Sequence, residues 1–310
     1  MRSTYLLQSV GRVALRNSML ALAVSLSPIA QAELEEVLVT ATKRTVSIQD
    51  IAMSITQLGG DELDLRGITN IENLSYQVPN LQFGTFGQTT FVTIRGIGTT
   101  VDSGVAEPAV ATYVDGVFLP RATMGILNHI DIERVEVLRG PQGTLYGRNA
   151  TGGAINYISR PPAEEFEARL QLSAENRDGY RIRGMVSGPI TDTVLYRFSA
   201  GKEEQDGYAK VVNTGQDLID TDLIHARAAL QFRPTDELTI DLAVQYEEDD
   251  AASSLQSALT PPSIAGKSTT EPNRTYGDGE FSAYVETTMI SGIVNWDISD
   301  AVSLKSVTGY

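Results

Sequence analysis

The chain has 310 residues, 42% of them apolar, which is long enough for two domains and apolar enough that disorder is not the default. Its 39 acidic residues against 24 basic ones give a net charge of −15, so a nucleic-acid partner is not expected, because phosphate binding needs a basic face. Cysteine is absent and only His129 and His225 are present, which excludes disulfides and thiolate chemistry and leaves neither a multi-histidine metal site nor a His-centred triad with support. No metal and no cofactor is expected.

Arg2, Arg12 and Arg16 precede the apolar run Met19-Leu-Ala-Leu-Ala-Val-Ser-Leu26, and Ala30-Gln-Ala32 follows with small residues. This pattern predicts an export signal over residues 1–32, cleaved after Ala32. The run is well short of the ~20 residues a membrane-spanning helix needs, so any membrane residence would use strands. Residues 33–47 form a short, charged, β-branched segment in which Val37-Leu-Val-Thr40 reads as a strand with no neighbouring hairpin partner. Such a strand invites pairing in trans.

Residues 48–162 mix short helical and strand patterns with many glycines, as one α+β domain of roughly a hundred residues would. Helix starts are predicted at Asp61-Glu-Leu-Asp-Leu and Ile71-Glu-Asn-Leu. Strands are predicted at Thr90–Ile94, Ala111–Val114 and Ile132–Val137. Pro161-Pro162 ends the domain.

From residue 163 to 310 the period is 2. Ala168–Ala174 and Tyr180–Val186 form a hairpin across Asn176-Arg-Asp-Gly179. Further strands are predicted at Val194–Gly201, Ile224–Phe232 and Leu238–Tyr246, and two more flank the Asp297–Asp300 turn, for seven in all. Long polar stretches, such as Lys202–Asp222, alternate with tight links. This rhythm, together with the export signal, favours an antiparallel transmembrane β-barrel over a soluble sandwich, with Arg169, Gln171, Arg181 and Arg183 facing a wet lumen and Tyr180, Tyr196, Phe232, Tyr246 and Trp296 at the interfaces. Seven strands cannot close such a barrel, so others are expected beyond residue 310.

Three motifs carry a family resemblance. Glu35-Glu-Val-Leu-Val-Thr-Ala-Thr-Lys-Arg44 resembles a TonB box with its flanking basic pair, and Ile94-Arg-Gly96 resembles the mid-plug motif of TonB-dependent outer-membrane receptors. The most specific is the segment Val137-Leu-Arg-Gly-Pro-Gln-Gly-Thr-Leu-Tyr-Gly-Arg-Asn-Ala-Thr-Gly-Gly-Ala-Ile-Asn-Tyr-Ile-Ser-Arg160, preceded by Tyr113-Val-Asp-Gly-Val117. The resemblance implies a plug domain followed by a transmembrane barrel in the bacterial outer membrane, with lipid around it. It implies energy-coupled uptake of a scarce nutrient, most commonly a ferric siderophore, with vitamin B12, carbohydrates and other organic molecules as alternatives.

Glu36, Val37, Leu38, Val39 and Thr40 would add as a strand to the periplasmic domain of TonB, main-chain hydrogen bonds carrying the affinity. The alternative is an edge strand folded onto the plug, and the two could alternate with ligand occupancy. Gly96, Gly140, Gly143, Gly147, Gly152 and Gly153 would permit tight turns and close backbone approach. A phosphate loop is excluded because no Gly-Lys-Ser/Thr follows.

By resemblance, Arg95, Arg139 and Arg148 would latch the plug to acidic groups of the barrel wall, with solvated surface arginines as the alternative. Phe83, Phe86, Gln88, Thr99 and Asp102, in the polar connections 83–89 and 99–107, are candidates for a ligand-facing apex, a plain structural turn being the other reading. The acidic run Glu247-Glu-Asp-Asp250 lacks the spaced ligands of a calcium loop. A signalling receptor would carry an additional domain before the box, a passive porin or adhesin would need neither box nor plug, and no enzymatic constellation rises above chance.

Overall fold

A computed structural model of the chain describes residues 38–40, 46–68, 70–86, 89–99, 107–120, 131–251, 274–275 and 283–310. The export signal, Glu36, Val37, Gln88, Asp102 and His129 fall outside them. The chain starts with β1 (Leu38–Val39), β2 (Val46–Ser47), a 3-10 turn and β3 (Ser54–Gly59), then α1 (Gly60–Leu65) and α2 (Ile71–Ser75). The Asn70 carboxamide accepts the Asn73 amide and caps α2. Next come β4 (Leu81–Phe86), β5 (Thr89–Ile94), β6 (Ile97–Gly98), β7 (Val110–Val114), β8 (Val117–Leu119), β9 (Ile132–Arg139), α3 (Gly143–Tyr146) and β10 (Gly153–Ser159). A five-stranded sheet in the order β3-β9-β10-β7-β8 forms the centre of this domain, with β10 parallel to β7 and antiparallel to β9.

Side chains alternate across that sheet as the strand period demands. Val135 and Val137 of β9 and Ile155 and Tyr157 of β10 pack with Leu63, Ile71 and Leu74 of the helices. Ala111, Tyr113, Leu138 and Ala154 project from the other face and pack with Val39 of β1. The strand over 37–40, expected to have no hairpin partner, in fact pairs with β2 through Leu38↔Ser47 and Val39↔Val46. The connection expected over 83–89 is largely strand as well: β4 and β5 run as a hairpin from Leu81↔Ile94 to Phe86↔Thr89.

The remaining strands are β11 (Glu167–Ala174), β12 (Tyr180–Thr191), β13 (Val194–Gln205), β14 (Ala209–Val211), β15 (Asp217–Leu218), β16 (Thr221–Thr235), β17 (Leu238–Ala251), β18 (Arg274–Thr275), β19 (Ala283–Ser299) and β20 (Val302–Gly309). Seven of them make one antiparallel sheet in the order β11-β12-β13-β16-β17-β19-β20, matching the seven read from the alternation. The stretch after Lys202 is not simply a loop. It extends β13 to Gln205 and contributes β14 and β15 to a small separate sheet with β18.

The burial pattern of the seven strands is inverted relative to a soluble protein. Leu170, Ile182, Phe198, Leu230, Leu242 and Ile290 are exposed, while Ser187, Arg197, Ser199, His225, Gln231 and Ser291 are buried against the domain that precedes them. An apolar outer face and a polar inner one are what lipid outside and a polar filling inside require. Of the residues expected to face a wet lumen, Arg181 and Arg183 are largely covered, whereas Arg169 is more than half exposed. His225 lies over Gly201, where a Cβ would sit 2.3 Å from the imidazole.

Candidate functional site

The site is built on the face of the central sheet opposite α1 and α2. Val39 is fully buried there, among Ala111, Tyr113, Leu138, Tyr146, Ala150 and Ala154. The next residue fixes the strand by polar contacts. The Thr40 amide donates to Glu136 Oε1 at 2.8 Å and its hydroxyl reaches the two carboxylate oxygens at 3.2 and 3.3 Å. Glu136 lies mid-strand on β9 and is itself fully buried, a position a carboxylate holds only when paired and hydrogen-bonded. Arg134, two residues earlier on the same face, supplies the charge partner through Nε at 2.9 Å and holds Glu133 through Nη1 at 2.5 Å.

The neighbouring polar groups are satisfied in the same layer. The Asn156 carboxamide donates to the Tyr146 hydroxyl at 2.7 Å, and the Tyr113 hydroxyl donates to the Tyr146 carbonyl at 2.6 Å. The two rings meet edge to face at 5.1 Å between centroids. Burial, the largest cause, pushes the Tyr146 phenol up to about 12; the Asn156 hydrogen bond pulls it down, while the Glu136 and Tyr113 charges push it further up. Burial raises the Tyr113 phenol too. Both rings are neutral at ordinary pH and act as hydrogen-bonding walls.

The glycine-rich segment shapes this seat. Gly153 starts β10 at φ 154°, and a Cβ on it would stand 2.2 Å from the Leu138 carbonyl oxygen, so only glycine lets β10 lie against β9 there. Gly152 is crowded by the Ile97 carbonyl, Gly96, Gly140 and Gly147 adopt positive φ, and Gly143 does neither, standing in open space at the start of α3.

Residues 47–154 match the model of the TonB-dependent Receptor Plug Domain. The pesticin receptor of Yersinia pestis is 34% identical over 178 residues, 56% of this chain and 26% of its own length. The iron-regulated outer membrane virulence protein of Vibrio cholerae is 31% identical over 185 residues, 56% of this chain and 28% of its own length. The solved ferric yersiniabactin uptake receptor of Yersinia pestis superposes with a TM-score of 0.70 at 25% identity, covering 83% of this chain and 40% of that one. Plug and wall strands thus align together with one receptor. Residues 47–154 are a plug domain of the TonB-dependent receptor kind. The ferripyoverdine receptor of Pseudomonas aeruginosa shares the fold with a TM-score of 0.74 at 19% identity, over 87% of this chain and 35% of that one. The chain spans about a quarter of the length of the curated relatives it matches.

In this plug, the arginines expected to latch onto the wall make other contacts among the described residues. Arg148 pairs with Glu107 of the plug itself at 2.9 Å, and at 72% exposure it is a surface ion pair. Arg139 Nη1 makes a long contact, 3.4 Å, with the Pro79 carbonyl. Arg95 occupies the β5–β6 turn at φ 54°, its amide donating to the Asn80 carbonyl. Among the described residues none of the three meets a wall carboxylate.

The ion pairs between plug and wall have the opposite polarity. Arg197 of β13 grips Asp131, Arg227 of β16 lies 3.6 Å from Asp115, Arg183 of β12 lies 3.8 Å from Asp64, and Arg169 of β11 lies 3.9 Å from Asp61. The lumen-facing alternation of Arg169 and Arg183 was the sequence signal for the wall half of these contacts. Nothing local marked their acidic partners. Of the apex candidates, Phe83 packs partly buried against the plug core, Phe86 ends β4, and the Thr99 hydroxyl donates to the Glu107 carbonyl at 2.8 Å, tying the two ends of that connection together.

Proposed function

We propose that this receptor takes up a scarce nutrient by energy-coupled transport, with a ferric siderophore as the substrate class and the periplasmic domain of TonB as its coupling partner. The observation that carries the reading is the seat of β1: a short extended segment held by two strand rungs and one carboxylate can leave the plug and offer its backbone to another sheet. The substrate class follows the relatives, one an iron-regulated outer membrane virulence protein and another a ferric yersiniabactin uptake receptor. Phe83, Phe86, Gln88, Thr99 and Asp102 are taken as the substrate-facing residues, and Glu36 to Thr40 as the added strand.

The test is uptake of defined ferric siderophores by cells that depend on this receptor, with and without Val39→Pro. Proline removes an amide from the proposed added strand. Transport should collapse while surface binding of the siderophore persists. Transport unchanged by the proline would discard the coupling reading.

A further inference from the structure

Resting on the coupling reading, we propose that Glu136, backed by Arg134, is the positioning residue that sets how readily TonB can engage this receptor, because it competes with TonB for the same strand. The competition is geometric. The Thr40 amide that donates to Glu136 at 2.8 Å is not free to donate to a partner strand, and a Val39 side chain buried against Tyr113 and Tyr146 is not available to a partner's surface. Docking on the plug and addition to TonB are mutually exclusive, so the apparent affinity of TonB is its intrinsic affinity reduced by the fraction of receptors whose strand is released.

Glu136 suits this task better than an apolar residue would. A buried carboxylate whose only donors came from Thr40 would be stranded on release, and the strand could then hardly leave. Arg134 lowers that obstacle, since its Nε contact with Glu136 at 2.9 Å does not pass through Thr40. The clasp is thereby strong enough to hold and cheap enough to open. Arg134 also lines a cavity of about 260 Å³ between plug and wall, with Arg227, Asp241 and Lys305 on its far side. The clasp is therefore one side chain removed from the surface along which the plug meets the barrel, and a plug that shifts against the wall moves the residue that steadies Glu136.

The absence of cysteine from these 310 residues makes a thiol placed here a clean reporter, with any cysteine in the rest of the receptor replaced by serine. In a Val39→Cys receptor the rate of reaction with a water-soluble maleimide reports how often the strand is undocked, and the purified periplasmic domain of TonB reports binding. Replacing Glu136→Ala should raise the labelling rate roughly tenfold and tighten TonB binding by the same factor, since a hydrogen bond to a charged group of that order is lost only from the docked state. Glu136→Gln, which keeps an acceptor without the charge, should fall between, and it carries the test if the alanine variant does not fold. Equal labelling rates with and without Glu136, or a Val39→Cys thiol that already reacts as fast as one in an unstructured peptide, overturn the clasp. Unchanged labelling beside uptake that still depends on Val39 discards the clasp alone. Faster labelling with no TonB binding in any variant discards the coupling reading and this assignment with it.

Discussion

Arg197 of the wall and Asp131 of the plug form a two-pronged ion pair: Nε meets Oδ2 at 2.6 Å and Nη2 meets Oδ1, while Nη1 reaches out to Glu167 at 2.6 Å. Arg197 is only 3% exposed and Asp131 7%, so the charges depend on each other. Arg197→Ala should destabilise the seated plug by about 3–5 kcal/mol, because it leaves Asp131 buried without a cation. Arg197→Lys should lie between, as an ammonium cannot reproduce the planar fork. Thermal unfolding of the detergent-solubilised receptor and salt conductance across planar bilayers read the two consequences.

Two motif glycines separate conformation from resemblance. Gly153→Ala should leave the plug misfolded or the receptor poorly assembled, since its Cβ would stand 2.2 Å from a carbonyl of β9. Gly143→Ala should be tolerated or slightly stabilising, by up to about 1 kcal/mol, because it places alanine in a helix with nothing within 4 Å. Proteolysis of intact cells and yield of heat-modifiable receptor would expose a failure of either expectation.

The buried tyrosines make the plug alkali-sensitive. Tyr146 has a folded-state value raised to about 12 from its ordinary 10.0, so its contribution is fully present below pH 10.0 and is lost as the pH climbs through 12. Tyr146→Phe should lower stability at neutral pH by about 1 kcal/mol through the lost Asn156 bond, yet flatten the decline between pH 10.0 and 12. Phenolate absorbance followed alongside unfolding would settle it, an unchanged slope being the contrary result.

The sequence carried the parts that local chemistry encodes. Seven wall strands were legible because lipid on one side and plug on the other impose a strict alternation, visible in stretches such as Ala168–Ala174. The helices at Asp61 and Ile71 and the strands β5, β7 and β9 were equally visible. The partner of β1 was not, because Val46-Ser47 is only two residues long and lies beyond a basic pair. The wall contacts escaped for a different reason. Arg197 and Asp131 are 66 positions apart, and no spacing rule connects residues that meet only where plug and wall touch. Glu136, flanked by valines at 135 and 137, looked like the polar half of an ordinary amphipathic strand.

The plug's strand order also has a mechanical consequence. Tension applied to the chain ahead of Leu38 loads β1 first, which has two rungs to β2, and then β3, an edge strand joined on one side only by six rungs to β9. The strands behind it, β9, β10 and β7, are flanked on both sides, and Asp115 and Asp131 beside them are moored to wall arginines. A pull from that end would therefore peel the plug from one margin inward, and would spend itself on its weakest seams before reaching the moored part.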